Sequence, residues 1–125
     1  MGVLGAPAVK DLPELHKEGQ VSYLTGGVGK KEADAIMHVA KSYPLELEFL
    51  DKAKPKDEYL SGVRVRIKDV HDKMVLDTTS DGPFLLARMP TGKYTVTADN
   101  NGKIEKRDVQ IEAKDHRSVV FEWKS

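Results

Sequence analysis

Apolar residues recur along this chain with two different periods, and the change between them divides it. From Lys30 to Tyr43 the apolar positions Ala33, Ile36, Met37 and Ala40 fall three and four residues apart, with Lys31, Asp34, His38 and Lys41 on the other faces. That spacing lines up one stripe on a 3.6-residue turn and predicts an amphipathic helix. Pro44 ends it, because proline donates no backbone hydrogen bond and pushes the preceding residue out of the helical region. After Pro44 the period becomes two. Leu45, Leu47 and Phe49 alternate with Glu46 and Glu48, and Val63, Val65 and Ile67 alternate with Arg64, Arg66 and Lys68. Such runs are strands with one buried and one wet face.

Further β-prone runs follow at Met74 to Thr79, Pro83 to Met89, Lys93 to Ala98, Lys103 to Glu112 and Arg117 to Trp123, giving seven strands after the helix. Turn chemistry separates them: Lys54-Pro55-Lys56-Asp57, His71-Asp72-Lys73, Asp81-Gly82-Pro83, Pro90-Thr91-Gly92, Asn100-Asn101-Gly102 and Lys114-Asp115-His116. Short strands at this spacing predict an antiparallel sandwich. Ile104 is out of step with Val109 and Ile111, which a bulge near Arg107-Asp108 would reconcile. Before the helix, Gln20 to Leu24 is a short β-prone run ending in Thr25-Gly26-Gly27-Val28-Gly29. Residues 1–20 show no sustained period and read as a flexible lead-in, with one helical turn around Leu12-Pro13-Glu14-Leu15. Ala6-Pro7-Ala8 within it has the small-x-small form of a signal-peptide end or of an expression remnant. The expected organisation is therefore a lead-in over 1–20 and one domain over 21–125, in which 21–44 supply a strand and the helix and 45–124 the sandwich.

Charge adds a topological expectation. The 20 Lys and Arg among 125 residues are cancelled by 20 Asp and Glu, which leaves no basic surplus for holding nucleic acid. The cancellation is uneven, because all five arginines lie after residue 58. Glu46 and Glu48 share one face of a strand, and Arg64, Arg66 and Lys68 share a face of the next long one. Opposite charges across adjacent strands attract, so these two strands are expected to be neighbours. No apolar run approaches the roughly 18 to 20 residues that cross a bilayer. The chain has no cysteine, which removes thiol nucleophiles, thiolate metal sites and disulfides.

Three stretches together carry a family likeness: Gly62-Val63-Arg64-Val65-Arg66-Ile67, then Thr78-Thr79-Ser80-Asp81-Gly82-Pro83-Phe84, then Met89-Pro90-Thr91-Gly92-Lys93-Tyr94-Thr95-Val96. Over residues 45–124 the chain resembles the carboxypeptidase regulatory-like domain family, whose motif runs from a G-V-x-V strand through a T-D-x-x-G-x-F hairpin to a P-x-G-x-Y turn and strand. Asp81 and Gly82 are adjacent here, where the family inserts residues, which implies a shorter hairpin. The resemblance implies a transthyretin-like seven-stranded sandwich. With the strand, glycine loop and helix in front, the order of elements is similar to small exported bacterial proteins of unassigned activity. It further implies periplasmic or secreted localisation and an accessory or binding role towards a protein or cell-envelope component. In physical terms, Gly82 is expected to allow a tight turn and Phe84 to enter the core. Pro90 fixes the following turn, and Tyr94 is expected to point inward with its hydroxyl tied to backbone.

Candidate chemistry is sparse. Gly26-Gly27-Val28-Gly29-Lys30 is reminiscent of a phosphate loop, yet Lys31 stands where Ser or Thr is needed and the glycine spacing is wrong. A hinge that packs the helix on the sandwich is the expectation. His16, His38, His71 and His116 are not at ligand spacing, although turns carrying His71-Asp72 and Asp115-His116 could meet at one end of a sandwich and build a metal or hydrolytic site. No serine stands in a nucleophile-elbow context. Hydroxyisourate hydrolase shares the transthyretin fold but ends in Tyr-Arg-Gly-Ser, whereas Phe121-Glu122-Trp123-Lys124-Ser125 stands here. Asp99-Asn100-Asn101-Gly102 lacks the remaining ligands of a calcium loop and reads as a hairpin turn. No residue is assigned as catalytic, metal-binding or cofactor-binding, and no cofactor is expected. The expected function is a non-enzymatic binding module. Carbohydrate recognition is the alternative should Trp123 or Tyr59 stand exposed, and a small hydrolase or metal enzyme at the turns is the other. The expected buried set is Ile36, Met37, Leu47, Phe49, Val65, Ile67, Phe84, Leu86, Tyr94, Val96, Val119, Phe121 and Trp123.

Overall fold

The structure, a computed structural model, describes residues 11–52 and 56–124. Ala6-Pro7-Ala8 and Lys54-Pro55 of the expected turn lie outside them. The strands are β1 (His16–Glu18), β2 (Val21–Gly26), β3 (Leu45–Lys52), β4 (Glu58–Tyr59), β5 (Arg64–Lys68), β6 (Met74–Thr79), β7 (Phe84–Arg88), β8 (Gly92–Asn100), β9 (Lys103–Ile111) and β10 (Arg117–Lys124). The helix α1 (Lys30–Val39) is followed by a 3-10 turn at Ala40–Ser42. The protein is mainly β with one short helix. One sheet has the order β1-β2-β7-β3-β10, with β4 joining β3 alongside β7; the other has the order β6-β5-β8-β9.

The alternation read from the sequence decides which side chains the two sheets share. Leu45, Leu47 and Phe49 of β3 meet Val65, Ile67, Tyr94, Val96, Val109 and Ile111 of the smaller sheet in one buried cluster. Phe121 and Trp123 of β10 complete it, their rings stacked 6.2 Å apart. Strand β7 is buried on both faces. Leu85 and Ala87 point into this core, while Phe84 and Leu86 point outward into a second cluster with Leu24, Ile36, Ala40 and Tyr43. Helix α1 thus covers the outer side of β2 and β7. Burying an aliphatic side chain in either layer contributes about 1.5–3 kcal/mol.

Both flanks of the sandwich are closed by side chains. On one, the Asp77 N–H donates to Glu18 Oε2 at 3.2 Å and Tyr23 OH lies 3.3 Å from Thr78 Oγ1, which ties β1 and β2 to β6. On the other, the Trp123 indole N–H donates to the Lys103 carbonyl at 2.9 Å and the Arg107 guanidinium lies 5.3 Å over the Phe121 ring. At the sandwich end, Tyr94 OH donates to the Pro90 carbonyl at 2.7 Å, as its position in the motif suggests. Asn101 and Gly102 both take positive φ, the geometry of a two-residue hairpin turn between β8 and β9.

Several expectations are corrected. Strand β3 does not neighbour β5: β3 pairs with β7, β4 and β10, and β5 with β6 and β8. The charges find other partners, described below. Pairing is not wholly antiparallel, because β10 runs parallel to β3 from Arg117↔Leu45 to Lys124↔Lys52. No bulge occurs at Arg107-Asp108. The β8–β9 register is continuous, and Ile104 stands 57% exposed on the outer face, while Arg107 takes the inward position against Phe121. The register shift lies instead at Ile67/Lys68, opposite Leu76 and Met74. Of the expected buried set only Met37 fails, at 44% exposed, because α1 and the 3-10 turn after it bury Ala35, Ile36 and Ala40 and leave Met37 on the helix flank. The lead-in holds β1, and residues 13–15 reach it without a helical turn. Gly82 is required by proximity: a Cβ there would collide with the Gly26 backbone.

Candidate functional site

Among the described residues, the outer face of the larger sheet is only half covered. Alternation turns Glu46, Glu48 and Leu50 of β3 outward, and the register gives each its neighbours. Glu46 stands between Leu86 and Ser118, Glu48 between Phe84 and Val120, and Leu50 between Tyr59 and Glu122. Helix α1 sits over Leu24, Phe84 and Leu86 and stops short of β3 and β10. On the open half Tyr59 is 63% exposed, its ring tilted 5.7 Å from that of Phe84. Between β4 and the start of α1 lies a groove of about 380 Å³, lined by Gly27, Val28, Lys30, Ala33, Tyr59 and Pro83. Met37 lies one helical turn beyond Ala33 on the same flank. Val28, Met37, Tyr59 and Val120 are thus four of the exposed large apolar side chains among the described residues, and all border this face.

The glycine loop is shaped by packing. Gly27 has φ +102° and lies against the Phe84 ring, where a side chain would not fit. Its N–H donates to Glu32 Oε1 at 2.7 Å. Glu32, in the first turn of α1, therefore supplies the loop with a carboxylate from within the chain, in the place where the phosphate-loop reading would put an anion. Lys30 pairs with Asp34 at 2.8 Å along the helix surface, and that hydrogen bond and charge raise its pKa.

The carboxylates of the open half differ in their surroundings. Glu46, 9% exposed, accepts from His116 Nε2 at 2.8 Å, while His116 Nδ1 stands 2.8 Å from the Tyr43 carbonyl. One turn histidine thereby ties the β9–β10 connection to the helix–strand junction. Glu48 has no ion-pair partner among the described residues. Burial beside Phe84 and Val120, and then the Glu46 charge, hold its carboxyl above the usual range. Arg64 and Arg66 lie on the other sheet, where Arg64 makes a two-pronged contact with Asp77 at 3.1 and 3.0 Å.

The remaining candidates are placed as follows. His71 and His116 have separate partners: the His71 N–H donates to Asp69 Oδ1, which also accepts from the Lys73 N–H, while both ring nitrogens of His116 are engaged as above. Those backbone donors, Lys73 foremost, hold the Asp69 carboxyl below its usual value. Among the described residues no three His, Asp or Glu side chains group as a metal site would require. Ser80 is buried in structural contacts, its hydroxyl accepting from the Val63 N–H. Trp123, 5% exposed, belongs to the core, whereas Tyr59 is exposed. No helix among the described residues is long and apolar enough to cross a membrane.

Sequence reasoning did not single out Val28 or Val120. The signal for Val120 was present: it is an apolar residue at the wet parity of the run Val119, Phe121, Trp123. No family model matches the chain, and no curated protein matches it.

Proposed function

We propose that this protein is a non-enzymatic, exported binding or accessory module of carboxypeptidase regulatory-like type, with a transthyretin-like sandwich, that recognises a protein or cell-envelope component. The observation that carries the binding reading is the half-open outer face, where Val28 and Tyr59 line one groove, Val120 stands beside Glu48, and Met37 is exposed on the helix flank. Exposed apolar residues grouped on one face of a sheet, rather than scattered, mark interaction surfaces. The family assignment rests on the three motif stretches. The inward Tyr94 with its hydroxyl on the Pro90 carbonyl agrees with it, and so do the seven strands from β3 to β10, leaving aside the two-residue β4, which divide between two facing layers. Localisation rests on the resemblance alone.

The reading is tested by capture from a cell-envelope extract with the full chain and with Tyr59→Asp as matched bait. A partner retained by the first and lost by the second supports it, and identical captures from both count against this face. Carbohydrate recognition keeps one supporting observation, the exposed ring of Tyr59, while Trp123 in the core offers no platform beside it. A glycan array on which the full chain binds nothing would remove that second reading.

A further inference from the structure

The open face carries a charge pattern as well as an apolar one, and the two together specify a partner. Glu46 and Glu48 lie two residues apart on one face of β3, so their side chains emerge about 7 Å from each other. Glu122 lies on the same face of β10. Glu46 has spent one oxygen on His116. Glu48 has apolar cross-strand neighbours on both sides, Phe84 and Val120, and no cation among the described ion pairs. Phe84 also underlies Tyr59, so a half-buried carboxylate and an exposed aromatic ring share one apolar floor. Groups of this kind suit a cation on an apolar stem. The planar guanidinium of arginine binds a carboxylate through two parallel hydrogen bonds, is less strongly hydrated than an ammonium, and stacks on aromatic rings.

We propose, resting on the binding reading above, that this face receives a segment of a partner protein in which an arginine is flanked by apolar residues. The guanidinium pairs with Glu48, its stem lies over Phe84 towards Tyr59, and the apolar neighbours rest on Val28, Met37 and Val120. An anionic lipid surface or a nucleic acid is repelled by the same carboxylates. In a second copy of this chain, Arg64 and Arg66 are occupied with Asp77, Arg88 with the Ser42 carbonyl and the Tyr43 ring, and Arg107 with Glu105 and the Phe121 ring, while Arg117 lies between His116 and Ser118 rather than between apolar residues.

The test uses the full chain and three synthetic peptides: Gly-Leu-Arg-Leu-Arg-Leu-Gly, the same peptide with citrulline for arginine, and the same with glutamate for arginine. Citrulline keeps the shape of arginine and removes its charge. Binding is followed by calorimetry and by amide resonance shifts. The arginine peptide is expected to bind roughly tenfold more tightly than the citrulline peptide at low salt, with shifts at Val28, Met37, Glu48, Tyr59 and Val120. Glu48→Gln should abolish the difference while leaving citrulline binding intact. If arginine and citrulline peptides bind equally and Tyr59→Asp weakens both, the apolar docking face stands and the arginine inference is overturned. Should no peptide shift those resonances, both fail. Self-association in sedimentation that Val120→Glu removes would overturn the proposal in favour of a second copy as occupant.

Discussion

His116 stands between two acceptors, with Nε2 2.8 Å from Glu46 Oε1 and Nδ1 2.8 Å from the Tyr43 carbonyl. Each ring nitrogen thus has an oxygen within hydrogen-bonding distance, and the ring bridges the two. Three segments distant in sequence meet there: the end of the helical region, the start of β3, and the turn before β10. Replacing His116 by Ala leaves Glu46 and a backbone carbonyl without that partner in a site nearly closed to water. The expected cost is about 1–3 kcal/mol, read as a lower urea midpoint. A loss under about 0.5 kcal/mol, the size of an ordinary surface substitution, would contradict this account.

Glu48 predicts an effect of the opposite sign. Its carboxyl is raised by burial and by Glu46. The folded state therefore disfavours the ionised form, at a cost present in full above the raised value. That cost fades as pH falls through it and is gone below the ordinary value of about 4.3. Glu48→Gln should thus be more stable than the parent at pH 7, with the gap closing on acidification towards pH 4. Denaturant titrations at several pH values check the trend. Equal stabilities at neutral pH would mean that the carboxylate is better solvated than its surroundings suggest.

Asp77 behaves in the usual acidic sense. Hydrogen bonds from Arg64, followed by the charges of Arg64 and Arg66, hold its carboxyl below the ordinary value. Its contribution is present above the unfolded value of about 3.9 and is lost as pH falls through the folded one. The groups are partly solvated, so Asp77→Asn should cost less than about 1 kcal/mol near neutrality, less still in high salt, and nothing in strong acid. A loss that salt does not reduce would contradict the ion-pair account.

Gly82 and Gly29 form a contrasting pair. A Cβ at Gly82 meets the Gly26 backbone, which has no flexible end to move aside, whereas at Gly29 nothing lies within 4 Å and the backbone is extended. Gly82→Ala is expected to destabilise by about 1–3 kcal/mol. Gly29→Ala should change stability by less than about 0.5 kcal/mol. Thermal melts of both decide it, and matching melting temperatures would show that the loop yields where the packing says it does not.

The elements were legible because period two and period 3.6 are local properties. Leu45, Leu47 and Phe49 face the core for the reason the alternation gives, and Tyr94, Phe121 and Trp123 follow suit. Partnership between strands was not legible. Glu46 and Arg64 are complementary in charge, but Glu46 is met by His116 from a turn and Arg64 by Asp77 on the adjoining hairpin strand, contacts that leave no periodic trace. The parallel pairing of β3 and β10 is likewise invisible, since both runs alternate equally well in either direction. Met37 shows the limit of a stripe: i, i+3 and i+4 spacing fixes an arc of the helix, and the sheet beneath chooses which edge of that arc stays wet. Half of the open face was present in the sequence as Glu46, Glu48 and Tyr59. Val28 and Val120 joined it only once register placed them.

The parallel pairing of β3 with β10 also sets an order of assembly. The smaller sheet contains two local hairpins, β5 to β6 and β8 to β9, which close short loops and form on a microsecond scale. Leu45 finds Arg117 only after everything between them has been gathered, a long loop closure that sheet hydrogen bonds do not repay until it is complete. Phe121 and Trp123 arrive with that last strand. Until they dock, the apolar inner sides of β8 and β9 remain open to other chains, so the window for misassembly lies between hairpin formation and the seating of β10.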